Sequence, residues 1–102
     1  MAGGPRVRVI VRHSAAPDEK ELEETYRRVS AELAGTPGLL GNELWRSATE
    51  PVTYTIMSEW RDIAAFHAWA GDPERHRVTE PLRRFRTAAD RNAEIYEVTA
   101  EH

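Results

Sequence analysis

Apolar residues recur along this chain at two periods, and the points where one period gives way to the other mark its elements. From Arg6 to His13 the pattern alternates, with Val7, Val9 and Val11 on one side and Arg6, Arg8 and Arg12 on the other. That predicts a strand with one buried face. Ser14-Ala15-Ala16-Pro17 breaks the alternation, and Asp18 then opens a helix. Leu22, Tyr26, Val29 and Leu33 form its apolar stripe, Glu19, Glu21, Glu23 and Glu24 cluster near its positive end, and Gly35 stops it. Thr36-Pro37-Gly38 reads as a turn. A second strand follows over Leu39 to Ser47, with Glu43, Trp45 and Ser47 opposed by Asn42, Leu44 and Arg46.

After the short loop Ala48-Thr49-Glu50-Pro51, the run Thr53 to Trp60 alternates again, with Tyr54, Ile56, Ser58 and Trp60 on one face. The period changes at Asp62, an N-cap residue whose carboxylate can accept from the free N–H groups of a first helical turn. Ile63, Phe66, His67 and Ala70 then share a predicted helix face, and Gly71-Asp72-Pro73 ends it. A further helical piece carrying Val78, Leu82 and Phe85 runs to about Thr87, interrupted or restarted at Pro81. Asn92 to Thr99 alternates once more as a last strand. Met1 to Pro5 reads as a lead-in.

Strand, helix, strand, strand, helix, strand is the ferredoxin-like split βαβ order, an α+β antiparallel sheet with helices on one face. The other face would present Arg6, Arg8, Ile10 and Arg12, then Leu44, Thr55 and Met57. It is too apolar for water and too polar for a core, so a homodimer is expected.

Composition narrows the classes. A chain of 102 residues is read as one domain, 1–102, with an ordered core at about residues 6–99. A net charge of −3 argues against nucleic acid as a partner, and the Arg75–Arg86 cluster is interleaved with acids. Without cysteine, disulfides, thiolate catalysis and thiolate metal sites are excluded. No apolar run reaches the ~18 residues of a membrane span, and Met1 onward lacks the apolar core of a signal peptide. A cytoplasmic protein without a membrane partner is therefore expected.

The order of elements, Pro37-Gly38 before the second strand, Trp60 closing the third, and the Trp-x-x-x-x-Ala-Phe run of Trp60, Ala65 and Phe66 resemble the antibiotic biosynthesis monooxygenase domain. Gly71-Asp72-Pro73 fits some members too. The resemblance covers about Arg6 to Thr99. It implies a dimeric α+β barrel, with a pocket between each sheet and its own helices. It also implies oxygenation of aromatic polyketides or quinols by O2 without metal or flavin, so no cofactor is expected. A haem-degrading branch shares the fold.

Trp60 matches the pocket tryptophan of the polyketide-oxidising members. Their Asn on the same strand face corresponds to Ile56, their helix tyrosine to Phe66, and a second-strand histidine to Trp45. In the haem-degrading branch a helix Trp and a later His correspond roughly to Trp69 and His76. Its first-strand Asn is replaced by Ile10 or Val11.

Cofactor-free oxygenation needs a proton acceptor, polar groups for the resulting anion, and a dry pocket. On the predicted apolar helix face, His67 is the candidate base, and Tyr54, sharing the face of Trp60, is a candidate donor to a substrate oxygen. Each has a plain alternative, as a half-buried histidine or a core tyrosine with a partnered hydroxyl. His13 at a strand end is a lesser candidate, and His76 reads as a surface residue. Trp45, Ile56, Trp60, Phe66 and Trp69 are candidate walls for a flat aromatic substrate, or else core packing. His67 and His76 lie outside i, i+4 spacing, so no metal site is expected. Three functions stay open: a cofactor-independent monooxygenase, a non-oxidative polyketide-binding or cyclase relative, and a non-catalytic dimeric domain.

Overall fold

The computed structural model describes residues 4–14, 18–86 and 93–102. It contains β1 (Val7–Ser14), α1 (Glu19–Leu33), β2 (Leu39–Arg46), β3 (Thr53–Trp60), α2 (Ile63–Ala70), α3 (Pro73–Thr79), a 3₁₀ helix (Glu80–Phe85) and β4 (Glu94–Glu97). Four expectations lie partly outside the described residues: the lead-in at Met1–Pro5, the break at Ser14–Pro17, the helical end at Thr87 and the start of the last strand at Asn92. The helical piece expected after Gly71 is indeed interrupted near Pro81: α3 ends at Thr79 and a 3₁₀ helix takes over from Glu80.

The strand order is β2-β3-β1-β4, antiparallel throughout. The crossover through α1 leaves a gap beside β1 that β3 fills. The helix starts follow from the sequence. Asp18 accepts from the Glu21 N–H at 3.1 Å and Asp62 from the Ala65 N–H at 2.8 Å, each satisfying an orphan donor of a first turn.

Two core clusters lie between the sheet and the helices. One joins Leu22 and Val29 of α1 with Tyr54, Val78, Leu82 and Phe85. The other joins Val7 and Val9 with Trp60, Ala65 and Phe66. Between them runs the sheet face that carries Val9, Val11, Ile56 and Ser58.

Gly38 sets how closely α2 approaches. Its φ is +82°, and a Cβ there would stand 2.4 Å from the Ala65 Cβ. The absent side chain therefore lets α2 dock with Ala65, Phe66 and Trp69 inward. Ile63, Phe66 and Ala70 of the expected stripe do pack on the second core cluster, but the inner face centres on Ala65 and Phe66 and so excludes the fourth member of the stripe. His67 is left exposed.

β2 also departs from strict alternation. A register shift between Leu39 and Gly41 inserts one extra residue, Leu40, opposite β3. Leu39 faces the helices, but beyond the bulge that face is held by Asn42, Leu44 and Arg46, opposite Ser58, Ile56 and Tyr54. Leu44 thus packs on the core instead of the open sheet face. Trp45 takes the open side opposite Thr55, 43% exposed, with its indole N–H donating to Glu43.

Candidate functional site

A cavity of about 140 Å³ lies between the helix-facing side of the sheet and the helices, open at one side. Its size, close to that of a cavity that binds benzene, seats about one aromatic ring. A larger polycycle would extend through the mouth. One wall is aromatic. Trp60 ends β3 and is 1% exposed, so it is core and wall at once. Phe66 meets it edge-on with ring centroids 5.8 Å apart, and Trp69 lies at 5.2 Å. Ile56 lines the cavity from the sheet.

The polar groups come from β1, β2 and α1. His13 shares the inward face of β1 with Val7, Val9 and Val11, is 4% exposed, and lines the cavity. Its Nδ1 lies 3.0 Å from the Val11 carbonyl oxygen. A carbonyl only accepts, so Nδ1 carries the proton and Nε2 is left as the basic nitrogen. Burial holds the His13 imidazole below its ordinary pKa. The Val11 hydrogen bond opposes that shift and the Arg86 charge adds to it. His13 is therefore neutral at neutral pH.

Asn42, one bulge beyond Leu39, is held by α1. Its Oδ1 accepts from the Tyr26 hydroxyl and, at 2.9 Å, from Ser30 Oγ, one turn apart on α1. Those two donors fix the amide orientation and leave Nδ2, with two N–H donors, unmatched among the described residues. Ser58, opposite Asn42, accepts from the Trp60 indole N–H at 2.9 Å. Arg75 lies over Trp69 with its guanidinium carbon 5.0 Å from the ring centre, and Arg83 and Arg86 line the same cavity.

Of the residues expected from sequence, Ile56, Trp60, Phe66 and Trp69 meet at this cavity. Trp45 does not, for the bulge turns it to the other face of the sheet. His67 stands on the solvent side of α2. Tyr54 faces the helices but lies outside the cavity, 2% exposed, with its hydroxyl 2.8 Å from Glu19 and 3.0 Å from Glu23. Burial first, and the two carboxylates after it, push the phenol up to about 12. A hydroxyl so engaged is a structural tie between β3 and α1. His76 is exposed, and its Nδ1 accepts from Arg83 at 2.9 Å.

Asn42 and Arg75 were missed as candidates. His13 had its signal in plain view, since it shares parity with three valines. Tyr26 and Ser30 were legible as an i, i+4 pair, but nothing local pointed them at Asn42. Among the described residues, no three His, Asp or Glu side chains gather as a metal site would require.

The chain spans about a fifth of the length of the Streptomyces halstedii protein SchA, to which it is 32% identical over 80 residues, covering 78% of this chain and 21% of that one. It is also 32% identical over 53 residues to a mycobilin-producing heme oxygenase of Mycobacterium tuberculosis, 52% of this chain and 50% of that one. Among solved structures, SnoaB, a cofactor-independent oxygenase from Streptomyces nogalater, superposes with a TM-score of 0.73 at 23% identity, over 97% of this chain and 96% of that one. A putative antibiotic biosynthesis monooxygenase from Nitrosomonas europaea gives 0.74 at 18%, over 94% and 92%. The sheet order and the helix-covered face are thus a frame shared with an oxygenase. The antibiotic biosynthesis monooxygenase family itself matches residues 6–81, from the start of β1 through α2 and α3, and this chain belongs to that family.

Proposed function

We propose that this protein is a cofactor-independent monooxygenase that oxidises a small aromatic anthrone- or quinol-like substrate with O2. The observation that carries the reading is a buried His13, its Nδ1 tied to the Val11 carbonyl so that Nε2 is the basic nitrogen, in a cavity walled by Trp60, Phe66 and Trp69 and lined also by Asn42. His13 takes a proton from the activated ring carbon or hydroxyl, and Asn42 Nδ2 donates to the oxygen on which negative charge develops. The electron-rich anion gives one electron to O2, and the radical pair joins as a peroxide anion that takes the proton back from His13 to become a hydroperoxide. Loss of water then leaves a carbonyl, so one oxygen atom enters product and the other leaves as water. The apolar walls keep solvent from the anion.

The protein acts in this reading as a homodimer, joined through the open sheet face that carries Ile10, Trp45, Met57 and Tyr96. Trp45 and Tyr96 are large and exposed there, as an unpartnered interface would leave them. Ile56, apolar where the oxidising relatives carry Asn, favours a second reading, in which the cavity binds or cyclises such a substrate without oxidation.

Oxygen-electrode traces decide between them, using anthrone and 1,4-dihydroxynaphthalene with chelator present and the spontaneous rate subtracted. The monooxygenase reading requires protein-dependent oxygen uptake. Binding without uptake would replace it with the second.

A further inference from the structure

The cavity is charged at one end in a way that proton abstraction does not use. Arg75, Arg83 and Arg86 all line it, His13 adjoins them, and none of the described lining residues is Asp or Glu. His13 and Arg86 are bridged strand-to-strand, which puts that arginine at the end of β1. Arg75 and Arg83 are not equivalent. Arg83 reaches outward to Glu80 at 3.5 Å and to His76. Arg75 is inward: its Nε is buried without a hydrogen-bond partner among the described residues, and its π-contact with Trp69 is the neighbour interaction that remains. Burial lowers the Arg75 pKa, and the charges of Arg86 and Arg83 lower it further. A guanidinium desolvated beside like charges is costly unless an anion completes it.

We infer that the arginine end of the cavity binds a carboxylate carried by a planar aromatic ligand, with Arg75 as its principal partner and the ring laid against Trp60 and Trp69. The planar fork of a guanidinium matches a carboxylate through two parallel hydrogen bonds. Trp69 contacts both Arg75 and Trp60, so the charged and flat parts of the ligand have adjoining seats. The inference rests on the proposed use of this cavity as the substrate site and narrows that substrate to an aromatic acid. It concerns binding, so it is tested apart from turnover.

The test is isothermal titration of the purified protein with 2-naphthoate and with its neutral isostere 2-naphthamide, at low and high salt. Naphthoate should bind about ten-fold tighter than the amide, as expected for one charge-assisted pair, and salt should narrow the gap. Arg75→Gln should weaken naphthoate alone and erase the preference, and Arg75→Lys should keep part of it. Should Arg75→Gln fail to fold by circular dichroism, the exposed Arg83→Gln takes its place, with a smaller loss for naphthoate only. Equal affinity of the two probes, no binding of either, or an equal loss of both in the variants would overturn the inference. A charge preference without oxygen uptake would leave it standing while removing the monooxygenase reading, and uptake without the preference would do the reverse.

Discussion

His13 and Tyr54 stand directly opposite each other in the β1–β3 ladder, on the same helix-facing side, yet their protonation is tuned in opposite directions. Burial favours the neutral form of both. For an imidazole that means a lowered pKa and an available base; for a phenol it means a raised pKa and a proton that stays on. The division follows from their neighbours, since Val11 fixes the tautomer of one and two α1 glutamates occupy the hydroxyl of the other.

Replacing His13 by Gln should lower oxygen uptake by about 10²–10⁴-fold, the usual contribution of a general base. Ligand affinity should hold, because the aromatic wall is untouched. His67→Ala is the companion variant: lying on the exposed side of α2, His67 should leave the rate unchanged. Steady-state rates and titrations of both variants separate the two imidazoles.

Acid should destabilise the fold through His13. Its folded pKa lies below that of the unfolded chain, about 6.5 for a histidine. The unfolded state therefore takes up the proton first, and the stability His13 contributes is present above about pH 6.5 and lost as pH falls below it toward the folded pKa. Thermal melts between pH 7.5 and about pH 5 should show a steeper fall for the parent than for His13→Gln.

Gly38→Ala should cost about 2–4 kcal/mol, combining a left-handed backbone with a side chain driven into Ala65. Gly35→Ala isolates the backbone part. Its φ is +87° but nothing lies within 4 Å of the added Cβ, so about 1–2 kcal/mol is expected. Urea melts of the two variants measure the difference.

Trp60→Ala should destabilise by about 3–5 kcal/mol, since a fully buried aromatic leaves a cavity. It should also weaken aromatic ligands, because the same ring is a wall of the site. Loss of one property without the other would break the dual role.

Trp45→Glu should weaken self-association by several kcal/mol, on the order expected for an unpaired buried carboxylate. Sedimentation at micromolar concentrations reads it directly. A parent protein that sediments as a clean monomer would remove the dimer proposal.

The sequence by itself determined the element types and most of their limits. Period-two runs, Asp18 and Asp62 as caps, and Gly38 before β2 are local signals, and local chemistry settles them. It also determined that Ile56 and Trp60 share an inward strand face, because alternation along one uninterrupted strand fixes parity. Faces that depend on another element were decided only by tertiary structure. A single extra residue at Leu40 exchanged the roles of Leu44 and Trp45, and no local pattern shows on which side of a bulge the core lies. The docking of Ala65 against Gly38 turned α2 so that Trp69 faces inward and His67 outward. Asn42 acquired its place from Tyr26 and Ser30 on α1, and Arg75 from Trp69 and two distant arginines. Periodicity fixes what one element can bury, whereas the chemistry of this cavity depends on which elements meet, and at what rotation.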